Sequence, residues 1–399
     1  MCVEEVVKNK ESAIVKAGQL IANTGNTDAL VEYIRSLESI WNNLPRAKTA
    51  KLIRSLMDLF ENIKEGLSDG EQKKTVKQME MRLCMDLVEW TIRDKRAFLK
   101  QTLELRLASL YLDNQMYTDA LALVSQLLRE LKRMDDKLTL VAVHLLECRI
   151  YFQLRNGPKA KAALTAARSN ANSIYCPPLT QAALDMQSAL IHADDGDFKT
   201  AYSYFMEALD SYVSQNDQRG AKALKYMMLC KIMMGGHHID ELDALLNGKL
   251  GSKYSLDSKE VMAMKAVAEA HKSKSLKQFE GALSMYPVEL GTDPMIHAHF
   301  QSLYDQLLQQ NLLRIVRPYS RVQLDHIASA IELPLAVVEG KLSMMILDGQ
   351  LKAIINQHEQ CLVLREEPVC DGTFALAIET VRHLDSVVDA LYQKATFIN

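Results

Sequence analysis

Two histidine pairs, His237-His238 and His297-x-His299, are the residues whose types would best suit a bound metal ion. A zinc site needs three or four ligands close together, and neither pair has a Cys-x-x-Cys motif or an evident third ligand nearby. His237 and His238 fall in a polar turn between predicted helices, whereas His297 and His299 would lie near opposite sides of one helix. The sequence therefore predicts no metal site.

Two glycine–lysine pairs, Gly248-Lys249 and Gly340-Lys341, would suit a phosphate-binding loop. A Walker loop also needs an earlier glycine and a Ser or Thr directly after the lysine, but leucine follows both pairs and the earlier glycine is missing. No Gly-x-Ser-x-Gly nucleophile elbow occurs either. We therefore expect no cofactor and no catalytic residue, and the chain is not predicted to be an enzyme.

The overall charge is nearly balanced, with 47 Lys and Arg, 50 Asp and Glu, and a formal net charge of −3. This balance gives no electrostatic reason to expect nucleic acid or a membrane as the main partner. The N-terminal segment is acidic where a signal peptide is basic, and no apolar run is long enough to span a membrane. We therefore expect a protein of the cytoplasm and nucleus. The scattered cysteines predict reduced, buried thiols: Cys2, Cys84, Cys148, Cys176, Cys230, Cys361 and Cys370.

The positions of the nine prolines indicate a mainly α-helical chain, because each falls where a periodic apolar segment ends. A proline inside a helix removes a backbone donor and clashes with the preceding turn. Helix-favouring Leu, Ala, Met, Lys, Gln and Glu are abundant, and aromatic residues make up only 6%. Before residue 95, the pattern predicts helices at about 27–43, 46–65 and 71–93.

A repeated turn predicts a stack of helix pairs. Short polar turns are followed by helices whose register positions are Tyr117, Lys159, Phe198, Ile239 and Leu276, with steps of 42, 39, 41 and 37 residues. This spacing is slightly longer than that of the tetratricopeptide (TPR) repeat. We therefore predict a TPR-like, right-handed helical-repeat solenoid over residues 1–285.

Apolar side chains at helical spacing identify the expected buried faces of two helices in this stack. The first set is Leu121, Val124, Leu128 and Leu131, and the second is Leu138, Val141, Leu145, Cys148 and Phe152. Small residues suit positions where two helices approach closely, and these are expected to be Ala120, Ala162 and Ala201.

Residues 286–368 have the element order of a winged helix. Asp293-Pro294 is typical of a helix start, and that helix is expected to run to about Asn311. A strand is predicted next at 314–317, followed by a helix that begins with a capping box at Ser320–Gln323 and has Leu324, Ile327 and Ile331 on one face. A second helix is predicted from Pro334, with Leu335, Val338, Leu342 and Met345 inward. Strands at about 351–355 and 361–365 complete the order.

A winged helix commonly reads DNA through its second helix, which here is predicted at 334–348. Its only cation is Lys341, against Glu339 and Asp348, and it has no arginine to form bidentate contacts with guanine. The pattern therefore favours protein docking over DNA binding.

The tail predicts one further amphipathic helix at 373–394, within a C-terminal segment of residues 369–399. Its apolar face is formed by Phe374, Ile378, Val381, Leu384, Val388 and Leu391. Such a face needs a partner, and helices of this kind often join a bundle of several chains.

Helical repeats that lead into a winged helix resemble the PCI family, whose members occur in the proteasome lid, the signalosome and a translation initiation factor. Within this family the chain is most similar to a non-ATPase subunit of the proteasome lid. The stretches that carry the resemblance are 131–137, 171–178, 199–205, 224–233, 320–327 and 341–348.

The resemblance implies a scaffold role with several protein partners. These are other PCI subunits and deubiquitinase subunits of the lid, ATPase subunits of the base, and the α-ring of the core particle. It also implies a PCI–PCI interface at Arg317, Tyr319, Ser320 and Arg321, and a helical-bundle interface at Leu384, Val388, Leu391 and Tyr392. A signalosome scaffold of the same architecture remains the alternative.

Overall fold

A computed structural model describes residues 3–41, 45–66, 70–235, 241–248, 251–255, 259–291, 293–365 and 372–396. The chain divides into two compact units, Met1–Met264 and Lys265–Asn399. The domain boundaries expected from the sequence stay predictions.

The described residues of the first unit form helices joined by turns. In chain order they are α1 (Val3–Asn23), α2 (Thr27–Ser36), α3 (Glu38–Trp41), α4 (Arg46–Gly66), α5 (Gly70–Arg93), α6 (Ala97–Asp113), α7 (Tyr117–Met134), α8 (Lys137–Gln153), α9 (Gly157–Asn172), α10 (Pro178–Asp194), α11 (Phe198–Gln215), α12 (Gly220–Met234), α13 (Glu241–Asn247) and α14 (Ser252–Ser255), followed by α15 (Lys259–Ser273), which continues into the second unit. The helices expected at 46–65 and 71–93 are confirmed. The single helix expected at 27–43 was wrong, because α2 ends at Ser36 and α3 begins at Glu38, and α1 was not predicted.

One turn geometry recurs between paired helices. Gln115, Arg155 and Gly196 have positive φ angles of 62°, 58° and 84°, and in each case the next backbone N–H donates to the carbonyl oxygen five residues earlier at 2.9 Å. Lys95 and Lys274 end their helices in the same way. This Schellman arrangement satisfies the last carbonyls of one helix, and the next helix begins two residues after the positive-φ position.

These turns fix the register of the repeats. The following helices begin at Tyr117, Gly157, Phe198 and Leu276, which confirms three of the expected register positions. Lys159 was wrong by two residues, because Pro158 occupies the first turn of the helix that Gly157 begins. Ile239, the remaining expected position, lies outside the described residues.

The same shift corrects one of the three small residues. Ala120 and Ala201 are completely buried at the fourth position of their helices, as expected. Ala162 is exposed, so the expectation that it lies where two helices approach closely was wrong. Ala160 is the buried residue at the equivalent position of α9. Alanines on α9 and α10, such as Ala163, pack into one apolar cluster, because small side chains let helix backbones approach.

The expected buried faces of α7 and α8 are correct for five of their nine residues. Val124, Leu131, Val141, Leu145 and Cys148 are buried. Three residues at the margins are only half-buried, namely Leu121, Leu128 and Phe152. Leu138 is 50% exposed and its expected burial was wrong, whereas Leu127, which was not predicted, is fully buried.

Of the described cysteines, Cys84, Cys148, Cys230 and Cys361 are buried and Cys176 is half-buried, and all five are free thiols. Burial raises the pKa of both Cys148 and Cys230 to about 12. Cys2 and Cys370 lie outside the described residues.

The second unit contains a winged helix. Its elements are α16 (Leu276–Met285), α17 (Pro287–Gly291), α18 (Pro294–Val316), β1 (Arg321–Gln323), α19 (Leu324–Ile331), α20 (Leu335–Leu347), β2 (Ala353–Asn356), β3 (Cys361–Leu364) and α21 (Gly372–Thr396). The three strands form an antiparallel sheet of order β1-β3-β2, in which Val322 pairs with Leu362 and Ile355 also pairs with Leu362. Strands β1 and β2 are therefore both edge strands. The helix from Pro334 and the final β-hairpin are confirmed.

The strand expected at 314–317 was wrong. Arg314 to Val316 form the last turn of α18, because Leu308, Leu312 and Val316 are spaced by four residues and continue its buried face. The first strand lies at Arg321–Gln323 instead. The expected capping box was also wrong: Ser320 precedes the strand, the N-cap residue of α19 is Gln323, and no side chain caps this helix.

No described helix is both long enough and apolar enough to cross a membrane.

Candidate interaction surfaces

The predicted PCI interface lies in the segment that joins α18 to β1. Arg317, Tyr319, Ser320 and Arg321 are all exposed. The Tyr319 ring contacts the edge of His326, with ring centroids 6.2 Å apart, and the Ser320 carbonyl accepts a hydrogen bond from the backbone of Leu364 at 2.9 Å. The structure therefore brings these four residues together at one edge of the sheet, on a backbone held in place by β3.

Arg321 is fixed by contacts within its own sheet. Its guanidinium donates to the Cys361 thiol at 3.3 Å and pairs with the Glu359 carboxylate. The Cys361 thiol, followed by the charge of Glu359, raises the pKa of Arg321. By contrast, the side chain of Arg317 forms no hydrogen bond or ion pair with any residue that the structure describes. Of the two cations, Arg317 is therefore the one that is free to bind a partner.

The helix that would read DNA has its cation neutralised. The Lys341 ammonium group lies 2.8 Å from the Asp305 carboxylate, and its side chain is only 14% exposed. Phosphate binding would require breaking this pair. Lys341 is therefore engaged within the domain, and the expectation that α20 does not read DNA stays a prediction.

The outward side of α20 is apolar, a feature that sequence reasoning missed. Val337, Met344 and Leu347 are 51%, 57% and 85% exposed, and Ile354 of the neighbouring strand β2 is 48% exposed. These side chains fall between the inward-facing positions of α20, so plotting the helix as a wheel would have shown them. An exposed apolar surface of this kind is typical of a protein-binding site.

The predicted bundle helix has its whole apolar face in solvent. Every described side chain of α21 is exposed, including Leu384, Val388, Leu391 and Tyr392 at 60%, 56%, 62% and 72%. The rest of the face continues along the helix with Phe374, Ile378 and Val381. A helix with such a continuous apolar stripe gains stability by burying it against other helices.

Among the described residues, no group of three or more His, Cys, Asp or Glu side chains is arranged to hold a metal ion. His297 is exposed and His299 is half-buried on α18. The other pair considered, His237 and His238, lies outside the described residues.

Comparison with known families matches three separate parts of the chain. Residues 2–114 match the N-terminal domain of the 26S proteasome regulatory subunit RPN6. Residues 282–366 match the PCI domain. Residues 371–396, which include all of α21, match the C-terminal helix domain of the 26S proteasome subunit RPN6.

Curated relatives match almost the whole length. A probable 26S proteasome regulatory subunit rpn6 from Schizosaccharomyces pombe is 44% identical over 98% of this chain and 90% of its own length. A 26S proteasome non-ATPase regulatory subunit 11 homolog from Arabidopsis thaliana is 43% identical over 99% of this chain and 91% of its own. The 26S proteasome regulatory subunit RPN6 of Saccharomyces cerevisiae is 41% identical, with 98% and 88% covered.

Proposed function

Because the chain belongs to the family of the 26S proteasome regulatory subunit RPN6, also called non-ATPase regulatory subunit 11, we propose that it is a non-catalytic structural subunit of the proteasome lid. In this role it supports ubiquitin-dependent protein degradation by holding other subunits together. The identity extends over nearly the full chain, and separate family matches cover both ends.

The exposed apolar face of α21 is the observation that carries this proposal. A 25-residue helix with every described side chain in solvent is poorly stabilised by the chain itself, since most helical stability in proteins comes from packing an amphipathic face. Leu384, Val388, Leu391 and Tyr392 would pack against helices of other lid subunits. Burial of these side chains would supply the free energy for assembly.

The winged helix would supply a second assembly contact. Both β1 and β2 have an open edge, and an open edge can pair with a strand of a neighbouring chain. Arg317, Tyr319, Ser320 and Arg321 lie beside the β1 edge, where they would contact the next PCI domain. Two open edges would let one domain join a neighbour on each side, as an open head-to-tail array requires.

The remaining partners follow from the family alone. The repeats of the first unit would contact ATPase subunits of the base and the α-ring of the core particle, and lid deubiquitinase subunits would be neighbours. The expected location is the cytoplasm and nucleus. The signalosome alternative loses its support, because the named relatives are proteasome subunits over almost their whole length.

Affinity purification of the tagged full chain from its own cells, followed by mass spectrometry, tests this function. We expect lid, base and core-particle subunits in amounts close to that of the tagged chain. As a matched pair, Arg317→Glu should reduce the recovery of other PCI subunits, whereas Arg314→Glu, an exposed change one turn earlier on α18, should not. Recovery of signalosome subunits without proteasome subunits would overturn the proposal.

A further inference from the structure

A groove with an apolar floor and an arginine rim crosses the first unit. It has a volume of about 600 Å³ and is lined by α4, α6, α8 and α10 together with the residue that caps α12. Its floor includes Met57, Leu103, Leu145, Leu146 and Leu179. Leu179 is 41% exposed, whereas the other four are 1–7% exposed, so most of the apolar surface that these residues offer to a ligand comes from Leu179.

Four arginines line the groove, and they differ in how far their charges are neutralised. Arg106 is saturated, since it donates to Glu80 at 2.9 Å and to Asp58 at 2.8 Å. Arg219, whose side chain is 67% exposed, lies 3.7 Å from the carboxylate of Asp217, which is 20% exposed. Arg54 and Arg149 form no side-chain hydrogen bond or ion pair within the described part of the chain. The groove therefore carries uncompensated positive charge.

Arg149 is the least favourably placed of these cations. Its side chain is exposed to the groove, yet the surrounding walls displace much of its water, and this burial lowers its pKa. Tyr212 raises the pKa of Arg149, the charge of Arg219 lowers it further, and Cys148 and Asp113 raise it by smaller amounts. The charge of Arg149 is therefore only partly balanced within the chain, and a carboxylate bound in the groove would stabilise it.

The lining distinguishes between classes of anion. Guanidinium groups match the fork geometry of carboxylates and phosphates. None of the lining side chains is aromatic, whereas sites for single-stranded nucleic acid stack bases on aromatic rings. Asp58 also lines the groove, but its carboxylate is paired with Arg106, and the other three arginines come from three separate elements. A chain with separated carboxylates and apolar side chains between them fits both the rim and the floor.

We propose that this groove binds an acidic peptide segment of a partner protein, whose carboxylates pair with Arg54, Arg149 and Arg219 and whose apolar side chains lie on the floor. Helical repeats commonly use such an extended surface for binding. The inference does not depend on membership of the proteasome lid, because it concerns the full chain alone.

The first test is selection of a random peptide library on the immobilised full-length chain, with the Arg149→Gln chain used to remove binders that do not need the groove. We expect the remaining peptides to be enriched in Asp and Glu, with Leu or another apolar residue between them. Absence of any binder that needs Arg149, or enrichment in basic or uncharged sequences, would overturn the proposal.

Fluorescence anisotropy then measures a labelled peptide from this selection against its Gln/Asn counterpart. Arg149→Gln and Arg219→Gln should each weaken binding of the acidic peptide by about tenfold, because each removes a charge-assisted hydrogen bond. Arg129→Gln on α7, an exposed arginine outside the groove, is the matched control and should leave affinity unchanged. Equal binding of the uncharged counterpart would contradict the role of the arginines.

Two competitors separate the other sources of negative charge. Inorganic phosphate should displace the peptide only at concentrations that act by general screening. Displacement by dilute phosphate would instead indicate a simple anion site, and tighter Arg149-dependent binding of single-stranded RNA would indicate a nucleic-acid site. Either result would overturn the peptide assignment. Unchanged thermal melting of the variants shows that the loss of binding is not a loss of folding.

Discussion

Replacing Arg106 with methionine should loosen the packing of α4, α5 and α6. Arg106 lies on α6 and joins three helices, because it donates to the Glu80 carboxylate of α5 at 2.9 Å, and to the Asp58 carboxylate and the Met57 carbonyl of α4 at 2.8 Å and 2.7 Å. Methionine keeps most of the aliphatic stem and removes all of these donors. The variant therefore tests the polar contacts more than the packing.

The magnitude depends mainly on Glu80. Its side chain is 1% exposed, and removing one partner of a buried ion pair costs about 3–5 kcal/mol. Asp58 and Glu61 are 65% and 69% exposed, and exposed pairs contribute only about 0–1 kcal/mol. Because the Arg106 side chain is itself 20% exposed and Glu80 has a further interaction, we expect the low end of the range, about 3 kcal/mol.

Hydrogen exchange measured by mass spectrometry is the suitable assay, because it reports the local opening of α4, α5 and α6 in a chain of two units. A loss of about 3 kcal/mol should speed exchange in these helices roughly a hundredfold. Arg35→Met, which removes a pair with Asp86 whose members are 56% and 51% exposed, is the control and should change exchange little.

The double variant Arg106→Met/Glu80→Gln gives the sharper result. Removing the buried charge together with its partner should recover most of the lost stability, since the main cost is an uncompensated carboxylate. A change below about 1 kcal/mol in Arg106→Met, or a double variant no more stable than the single one, would refute the reasoning.

Three further predictions concern other parts of the molecule. The double variant Leu384→Asp/Val388→Asp should leave the melting temperature of the free chain unchanged but weaken its capture by lid subunits roughly a hundredfold in a pull-down. The reason is that burial of each apolar side chain on docking contributes about 1–2 kcal/mol. A normal capture would contradict the bundle role. Ala160→Leu should cost about 1–3 kcal/mol by overpacking, whereas Ala162→Leu, two residues along the same helix, should change the urea midpoint little; equal effects would contradict the corrected register. Burial, and then the charge of Lys274, lower the pKa of His271 from its ordinary value of 6.5. As the pH falls, the imidazole is therefore protonated in the unfolded chain before it is protonated in the folded chain. The folded chain loses stability as the pH falls below about 6.5. His271→Gln should therefore reduce the stability difference measured by urea unfolding at pH 7 and pH 5.5, and an undiminished difference would refute this assignment.

Local patterns carried most of what the sequence predicted correctly. The repeats were visible because each turn needs a positive-φ residue and a new helix start, which leave polar and small residues at a fixed spacing. The apolar face of α21 was visible because its residues lie at helical spacing within one continuous segment. The error at Lys159 arose because Gly157 has no side chain to mark the first helical position.

Features that depend on tertiary packing were not predictable in this way. The Ile315-Val316 pair has a β-branched composition that favours a strand, but burial of Val316 in the winged-helix core extends α18 through it. The groove arginines, such as Arg54 and Arg149, come from separate helices, so no spacing in the sequence connects them. The interface residues at 317–321 stay predictions, because exposure alone does not identify what covers them.

Deletion of residues 372–399 tests the central claim most directly. Cells that express the tagged full chain or the truncated chain would be lysed, and the tagged protein followed on native gels together with peptidase activity. Our account predicts that the full chain migrates with assembled 26S peptidase activity and that the truncated chain, still folded by circular dichroism, does not. A truncated chain that still migrates with the assembled, active complex would contradict the claim that this helix holds the subunit in the lid.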